Sequence, residues 1–383
     1  MTMTSSRRTF LLGTASAALA SGCAHKIPAT DAEAIGAFPT LPAGAELIGP
    51  QAGIVRLHSN ENPYGPAASA LKMVEYAGRK GAFYADRATD VLTKMIAERY
   101  DVDPQQVTLS TGSAEALSAA AIVYGQQGPI VAPRLFFDAT VMYANRLGLA
   151  QVQRAPMTAA LGIDFAALDA MVTTDTGMVQ LCNPNNPTGV LSDTKTLKAA
   201  VKRMAAKTTV VVDEAYMELT DAPQGNSCID LVRAGHDVII SRTFSKLYGM
   251  AGLRVGYLIS SAEAAQKLRA AKMSWMSGVS LAAAIGCLDD DAFIRRSLAK
   301  INEGREMTVA ALRGLGIESL PSQTNFVYFK SGKSANALQQ TLRASNVQIR
   351  GQYMDYDAWS RVSMGRLQDV ARFCQTLPEA INA

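Results

Sequence analysis

The sequence predicts an α/β fold, with a mostly parallel central sheet in a large domain and a smaller α+β domain beside it. Three observations predict it. Short β-branched runs, TTVVVDEAY at 208–216, HDVIISRTFS at 236–245 and RVGYLIS at 254–260, are apolar on successive residues, as strands buried on both faces of a parallel sheet must be. Amphipathic segments such as TKTLKAAVKRMAAK, 194–207, lie between runs of this kind with apolar positions at helical spacing. From about residue 285 the alternation gives way to a helix-rich stretch reaching about Leu315, then to NFVYFK, VQIR and WSRVSMG, and last to a helix through LQDVARFCQTL.

In chain order, the opening MTMTSSRRTFLLGTASAALASGCAHK joins Arg7 and Arg8 to a mildly apolar stretch with small residues, which reads as a twin-arginine export signal over residues 1–24. A periplasmic product follows. Two endings compete: cleavage after Ala18-Leu19-Ala20, or lipid attachment at Cys23, the one route by which this chain would hold to a membrane. Residues 25–80 are read as an N-terminal arm and part of the small domain, 81–284 as the large domain, and 285–383 as the C-terminal small domain.

At 383 residues and 48% hydrophobic content the chain can bury a sizeable core. Its net charge of +4 includes the two arginines of the signal, and no basic run interleaved with aromatics follows, which excludes nucleic acid as a partner class. Cys182, Cys228, Cys287 and Cys374 are widely spaced and form no C-x-x-C pair. The three histidines, His25, His58 and His236, fall in no metal-ligand pattern, so no metal is expected. The chemistry must rest on other groups.

Ligands of open α/β sheets sit beyond the carboxyl ends of the strands, and the unusual residues of this chain fall there. Lys246 follows VIISRTF; a nucleophilic lysine must shed its proton near neutral pH, which burial and a neighbouring cation such as Arg254 promote. Asp213 closes an apolar strand, where it either caps the next turn or meets a positive partner, a protonated ring nitrogen being one. LSTGSAEAL, 109–117, puts Gly112, Ser113 and Ala114 at a strand-to-helix turn whose free N–H groups suit a phosphate. CNPNNPTG, 182–189, fixes a rigid turn that can aim Asn186 into a site. Together the four segments call for a phosphorylated cofactor with a ring nitrogen, a phenolic oxygen and an aldehyde. Pyridoxal 5'-phosphate meets that description.

SNENPYGP, STGSAE, CNPNNPTG, VVVDEAY, SRTFSKLYGMAGLRVGY, PSQTNFVYF and WSRVSMG also occur here in the order seen in class I/II aminotransferases of the fold-type I pyridoxal-phosphate enzymes, and the chain most resembles their histidinol-phosphate aminotransferase-like branch. The resemblance runs from about residue 54 to near the C-terminus and makes 81–284 the cofactor-binding domain. It implies that Lys246 anchors the cofactor covalently and shuttles the substrate proton, that Asp213 pairs with the ring nitrogen, and that Asn186 and Tyr216 hydrogen-bond the phenolic oxygen. The phosphate is then held by Ser113, Ala114, Thr243, Ser245 and Arg254. Phe137, or failing it Phe136, stacks on the ring, and Tyr84 reaches the phosphate of a partner subunit, which implies a homodimer with shared sites. Arg361 grips the substrate carboxylate with support from Asn325, Asn60 lines the substrate side, and Arg350 is available to an acidic or phosphorylated side chain.

The implied activity is transfer of an amino group from an α-amino acid, histidinol phosphate-like and aromatic donors included, to a 2-oxo acid. A lyase, decarboxylase or racemase using the same cofactor is the alternative. Three departures bear on substrate choice: FPTLPAGAELIGPQAG, 38–53, lacks the tyrosine usual before the Asn-Glu-Asn-Pro motif, and KMSWMSGVS and PRLFFDA replace the family's customary aromatic stretches.

Overall fold

The computed structural model describes residues 46–272 and 274–383; the expected export signal with Arg7, Arg8 and Cys23, and the first part of the expected arm, lie outside the described residues. The strands are Val55–Leu57 (β1), Val107–Ser110 (β2), Ile130–Pro133 (β3), Val152–Ala155 (β4), Met178–Cys182 (β5), Thr209–Asp213 (β6), Val238–Thr243 (β7), Gly256–Ile259 (β8), Glu318–Ser319 (β9), Phe326–Lys330 (β10), Val347–Ile349 (β11) and Trp359–Ser363 (β12).

Seven of these make the central sheet, in the order β2-β8-β7-β6-β5-β3-β4. β5, β6 and β7 are buried at every residue. Their successive side chains enter opposite layers: Val210 and Val212 join one hydrophobic cluster, and Val211 joins another with Ile239 and Leu258. Helix Ser113–Gly125 supplies the second cluster with Ala116, Leu117, Ala120, Ala121 and Tyr124. Helix Thr194–Ala205 covers the first: Asp193 caps it by accepting from Thr196 N, and Leu197, Ala200, Val201 and Met204 form its buried stripe.

All neighbours in this sheet run parallel except β8, which is antiparallel to both β2 and β7. The connection 244–255 holds one short turn, Ala251–Leu253, and no crossover helix, and the RVGYLIS strand turns back beside β7. Gly256 is in register with both Ser110 and Thr243, so the start of β8 lies at the carboxyl ends of its neighbours. Arg254 reaches the ligand edge by that reversal.

Two smaller sheets complete the fold. β12, β10 and β9 are antiparallel, and β1 lies parallel to β11 with Val55 opposite Val347. An antiparallel bridge between Arg350 and Arg361 ties the end of β11 to β12. The helix-rich stretch consists of Gly278–Cys287 and Asp291–Gly314, and the last helix is Leu367–Asn382. Helix Ala335–Ala344, which the sequence reading lacks, buries Ala335, Leu338 and Leu342 at helical spacing. No helix among the described residues is long and apolar enough to cross a membrane.

Candidate active site

A cavity of about 570 Å³ opens at the carboxyl edge of the central sheet. Its lining includes Ser113, Ala114, Phe136, Phe137, Asn186, Asp213, Tyr216, Thr243, Ser245, Lys246, Arg254, Asn60, Arg350 and Arg361. The sheet brings most of these together: Asp213 ends β6, Thr243 ends β7 with Ser245 and Lys246 just beyond, and helix Ser113–Gly125 begins just past β2. The Asn186 turn is braced from within, since Asn185 Nδ2 donates to Leu135 O and Thr188 Oγ1 at 3.0 Å each, and Asn183 N donates to Asp213 O at 2.9 Å.

One end of the cavity is built for an anion. The first-turn amides of helix Ser113–Gly125 are the unpaired N–H groups of its positive end. Gly112 precedes it at φ +75°, and a Cβ there would collide with the Arg254 guanidinium, so only glycine lets that cation lie against the turn. Arg254 Nη1 donates to Ala251 O at 2.9 Å and to Ser245 Oγ at 3.4 Å. The Thr243 hydroxyl donates to Ser245 Oγ at 2.9 Å.

The floor carries the two titratable groups. Burial raises the Asp213 carboxyl to about 7, and its Oδ1 is buried without a hydrogen-bond partner. Such an acceptor calls for a donor or a positive charge from a ligand. Burial, and then the nearby Arg361 charge, lower Lys246 to about 8 against the opposing pull of Asp213 and Glu61. Its Nζ donates to Asn60 O at 3.2 Å and lies 5.6 Å from the centre of the Tyr216 ring.

The opposite wall is cationic. Arg361, buried on β12, donates from Nη1 to Asn186 Oδ1 at 2.6 Å and from Nη2 to His58 O at 2.8 Å. The Asn186 oxygen is thereby engaged, and its NH2 is the end left to donate. Burial lowers the Arg361 pKa, and no carboxylate among the described residues forms an ion pair with it. Arg350 lines the same wall, and the Tyr353 ring sits between the two guanidiniums, 5.1 Å from that of Arg350 and 5.3 Å from that of Arg361.

Three expected residues fall elsewhere. Asn325 is a correction: it is fully buried outside the lining, and its Nδ2 donates to Asn60 O and Glu61 O, so it braces the 60–61 turn instead of meeting a carboxylate. Gly112 stands behind the lining, and Tyr84 is 82% exposed, with its ring 5.3 Å from that of Trp275. The sequence reading lacked Ser59, Glu61, Asp138, Gln352, Tyr353 and Met354, all in the lining. Gln352, Tyr353 and Met354 belong to an irregular loop with no periodic signal; Met354 itself has a positive φ of 48°.

The family described as aminotransferase class I and II matches residues 52–377. Histidinol-phosphate aminotransferase of Symbiobacterium thermophilum is 32% identical over 86% of this chain and 91% of its own length. Histidinol-phosphate aminotransferase 1 of Thiobacillus denitrificans is 34% identical over 90% of each chain. Among solved structures, histidinol-phosphate aminotransferase from Sinorhizobium meliloti, determined in complex with pyridoxal-5'-phosphate, superposes with a TM-score of 0.80 at 27% identity, covering 86% of this chain and 91% of that one. The architecture is that of the fold-type I enzymes, and the chain belongs to the class I and II aminotransferase family.

Proposed function

We infer that the protein is a pyridoxal-phosphate-dependent aminotransferase that moves an amino group from an α-amino acid to a 2-oxo acid. The observation that carries this reading is Lys246, buried at the cavity floor with its pKa drawn down to about 8 and facing an anion cradle on one side and an unpaired arginine wall on the other. The residues present fit the cofactor. The Ser113 turn, Thr243, Ser245 and Arg254 offer the phosphate donors and charge, and Asp213 Oδ1 is a buried acceptor that a protonated ring nitrogen satisfies. Tyr216 and the Asn186 amide offer donors to the phenolic oxygen, and Phe137 an apolar face for the ring.

When bound, the cofactor supplies an aldehyde for the lysine amine and an electron-withdrawing ring that stabilises negative charge at the substrate's α-carbon. Lys246 Nζ, poised near neutral pH, takes and returns the substrate proton. Asp213, raised to about 7 by burial, is held in its charged form at neutral pH by a positive partner facing it. Arg361 orients the α-carboxylate, and Asn325 holds the Asn60 turn from behind. Family membership favours transfer over lyase, decarboxylase or racemase chemistry. Arg350 supports donors with an acidic or phosphorylated side chain, and the relatives' names extend that to histidinol phosphate-like compounds.

Two parts of the reading rest on other residues. Phe83, Tyr84 and Trp275 are 77%, 82% and 78% exposed, an apolar grouping that supports a homodimer with Tyr84 offered to the partner's site. Arg7 and Arg8 support export by the twin-arginine route to the periplasm. Light scattering on the purified protein tests the first, and fractionation of cells carrying Arg7→Lys/Arg8→Lys tests the second.

The central test is the visible spectrum of the holoprotein before and after addition of single amino acids without any oxo acid. Conversion to the pyridoxamine form is expected with at least one donor. A visible band that persists against a broad panel refutes amino-group transfer.

A further inference from the structure

Five hydrogen bonds meet at Asn60, one of them the Asn325 amide on its carbonyl, and its backbone sits in the left-handed region at φ 54°. Its N–H donates to Ser363 Oγ at 2.9 Å, and the Ser363 hydroxyl donates to Asn60 Oδ1 at 2.7 Å. At the other end of the same amide, Nδ2 donates to the Tyr216 hydroxyl oxygen at 3.0 Å, while the Asn60 carbonyl takes the Lys246 amine at 3.2 Å. Asn60 and Ser363 are each 2% exposed and Tyr216 3%.

The chain of donors has one direction. The Ser363 oxygen accepts the Asn60 N–H, and the acceptor facing its own proton is Asn60 Oδ1, which sets the end of the amide that faces Tyr216. That end is a donor, so the Tyr216 oxygen accepts and its proton is free for the cavity that Tyr216 lines. Turned end for end, the amide would deprive the Ser363 proton of the acceptor it now has. Tyr216 would then donate to Asn60 and be lost to a ligand.

We propose that Ser363 is a positioning residue that sets the direction of the Tyr216 hydroxyl proton, acting through the Asn60 amide. The inference rests on the proposed function, since the acceptor awaiting that proton is the phenolic oxygen of the cofactor. Ser363 stands two residues beyond Arg361 on β12, on the same face of the strand, so one strand holds the carboxylate-binding arginine and also orients a donor beneath it.

A hydrogen bond from Tyr216 to the phenolic oxygen stabilises negative charge there and lowers the pH midpoint of the cofactor's visible band; losing part of that bond raises it. The experiment is a pH titration of this band in the parent holoprotein, Ser363→Ala, Ser363→Thr, Tyr216→Phe and the Ser363→Ala/Tyr216→Phe double variant. Ser363→Ala is expected to raise the midpoint by about 0.5 pH or more. Ser363→Thr, which keeps the hydroxyl, is expected to restore it, and Ser363→Ala to add nothing once Tyr216 is phenylalanine. Should Ser363→Ala fail to fold, the near-isosteric Ser363→Cys, a weaker donor, is expected to move the midpoint the same way by less. An unmoved midpoint, or an equal shift with and without the Tyr216 hydroxyl, overturns the inference alone. A parent protein with no visible band after addition of pyridoxal phosphate overturns the proposed function and this inference with it.

Discussion

Replacing Asp213 by asparagine should stabilise the cofactor-free protein at neutral pH while crippling the enzyme. The folded-state pKa of about 7 lies above the ordinary 3.8, so the folded protein binds more protons than the unfolded chain between those values. Stability conferred by the protonated carboxyl is therefore fully present below pH 3.8 and is lost as pH rises through about 7. Over three pH units this amounts to about 4 kcal/mol, of which about 3 kcal/mol falls between pH 5 and pH 8. Asparagine carries no charge and loses nothing over that span. Its own buried amide imposes a penalty, but one that does not vary with pH. Removing the Asp213 charge also lowers Lys246 further, which widens the gap in the same sense. The assay is urea unfolding of both cofactor-free proteins at pH 5 and pH 8. The stability of Asp213→Asn relative to the parent should improve by about 3 kcal/mol between the two pH values. Saturating pyridoxal phosphate should then favour the parent, because only it has a carboxylate for the ring nitrogen. A gap that is constant with pH, or that closes as pH rises, refutes the argument that in the empty protein burial of this carboxylate outweighs the opposing pull of Ser241, the Ala215 backbone and the Lys246 charge.

Arg361→Lys keeps the charge but loses the fork that spans Asn186 and His58, and kcat/KM for amino donors should fall about 100-fold in steady-state assays. Gly112→Ala forces a Cβ onto the Arg254 guanidinium at a φ that disfavours side chains, and should cost about 1–3 kcal/mol in urea unfolding while weakening cofactor binding in equilibrium titrations. Tyr353→Leu removes the ring shared by Arg350 and Arg361, so KM for donors bearing a second anion should rise about 10-fold with kcat little changed, and Tyr353→Phe should restore it.

The groups legible in the sequence share one property: their position is fixed by the strand they end. An apolar run such as VVVD announces a strand buried on both faces, and a carboxylate at its close is costly unless it caps the next turn or meets a positive partner, which singles out Asp213 as a candidate. The same holds for Lys246 beyond β7 and for the Gly112 turn beyond β2. The direction of β8 was not legible, because it depends on how a twelve-residue loop closes and not on the strand's own composition.

Residues whose role depends on a remote partner were the ones misread or unseen. Asn325 was expected at the substrate carboxylate, yet it spends its amide on the Asn60 and Glu61 carbonyls, while Asn60 lines the cavity with its own amide spent on Ser363 and Tyr216. The 58–62 turn has no sheet to hold it; it is fixed by Arg361 on His58 O, Ser363 on Asn60 and Asn325 on the following carbonyls, all from the far end of the chain. Motif order signals that such segments belong together, but it does not say which atom meets which. That difference explains why the wall of the cavity built on strand ends gathers residues that the sequence singles out, while the wall where β1, β11 and β12 bring distant segments together holds residues it does not. The loop of Gln352, Tyr353 and Met354, which lies between the bridged residues Arg350 and Arg361, lines that same cavity.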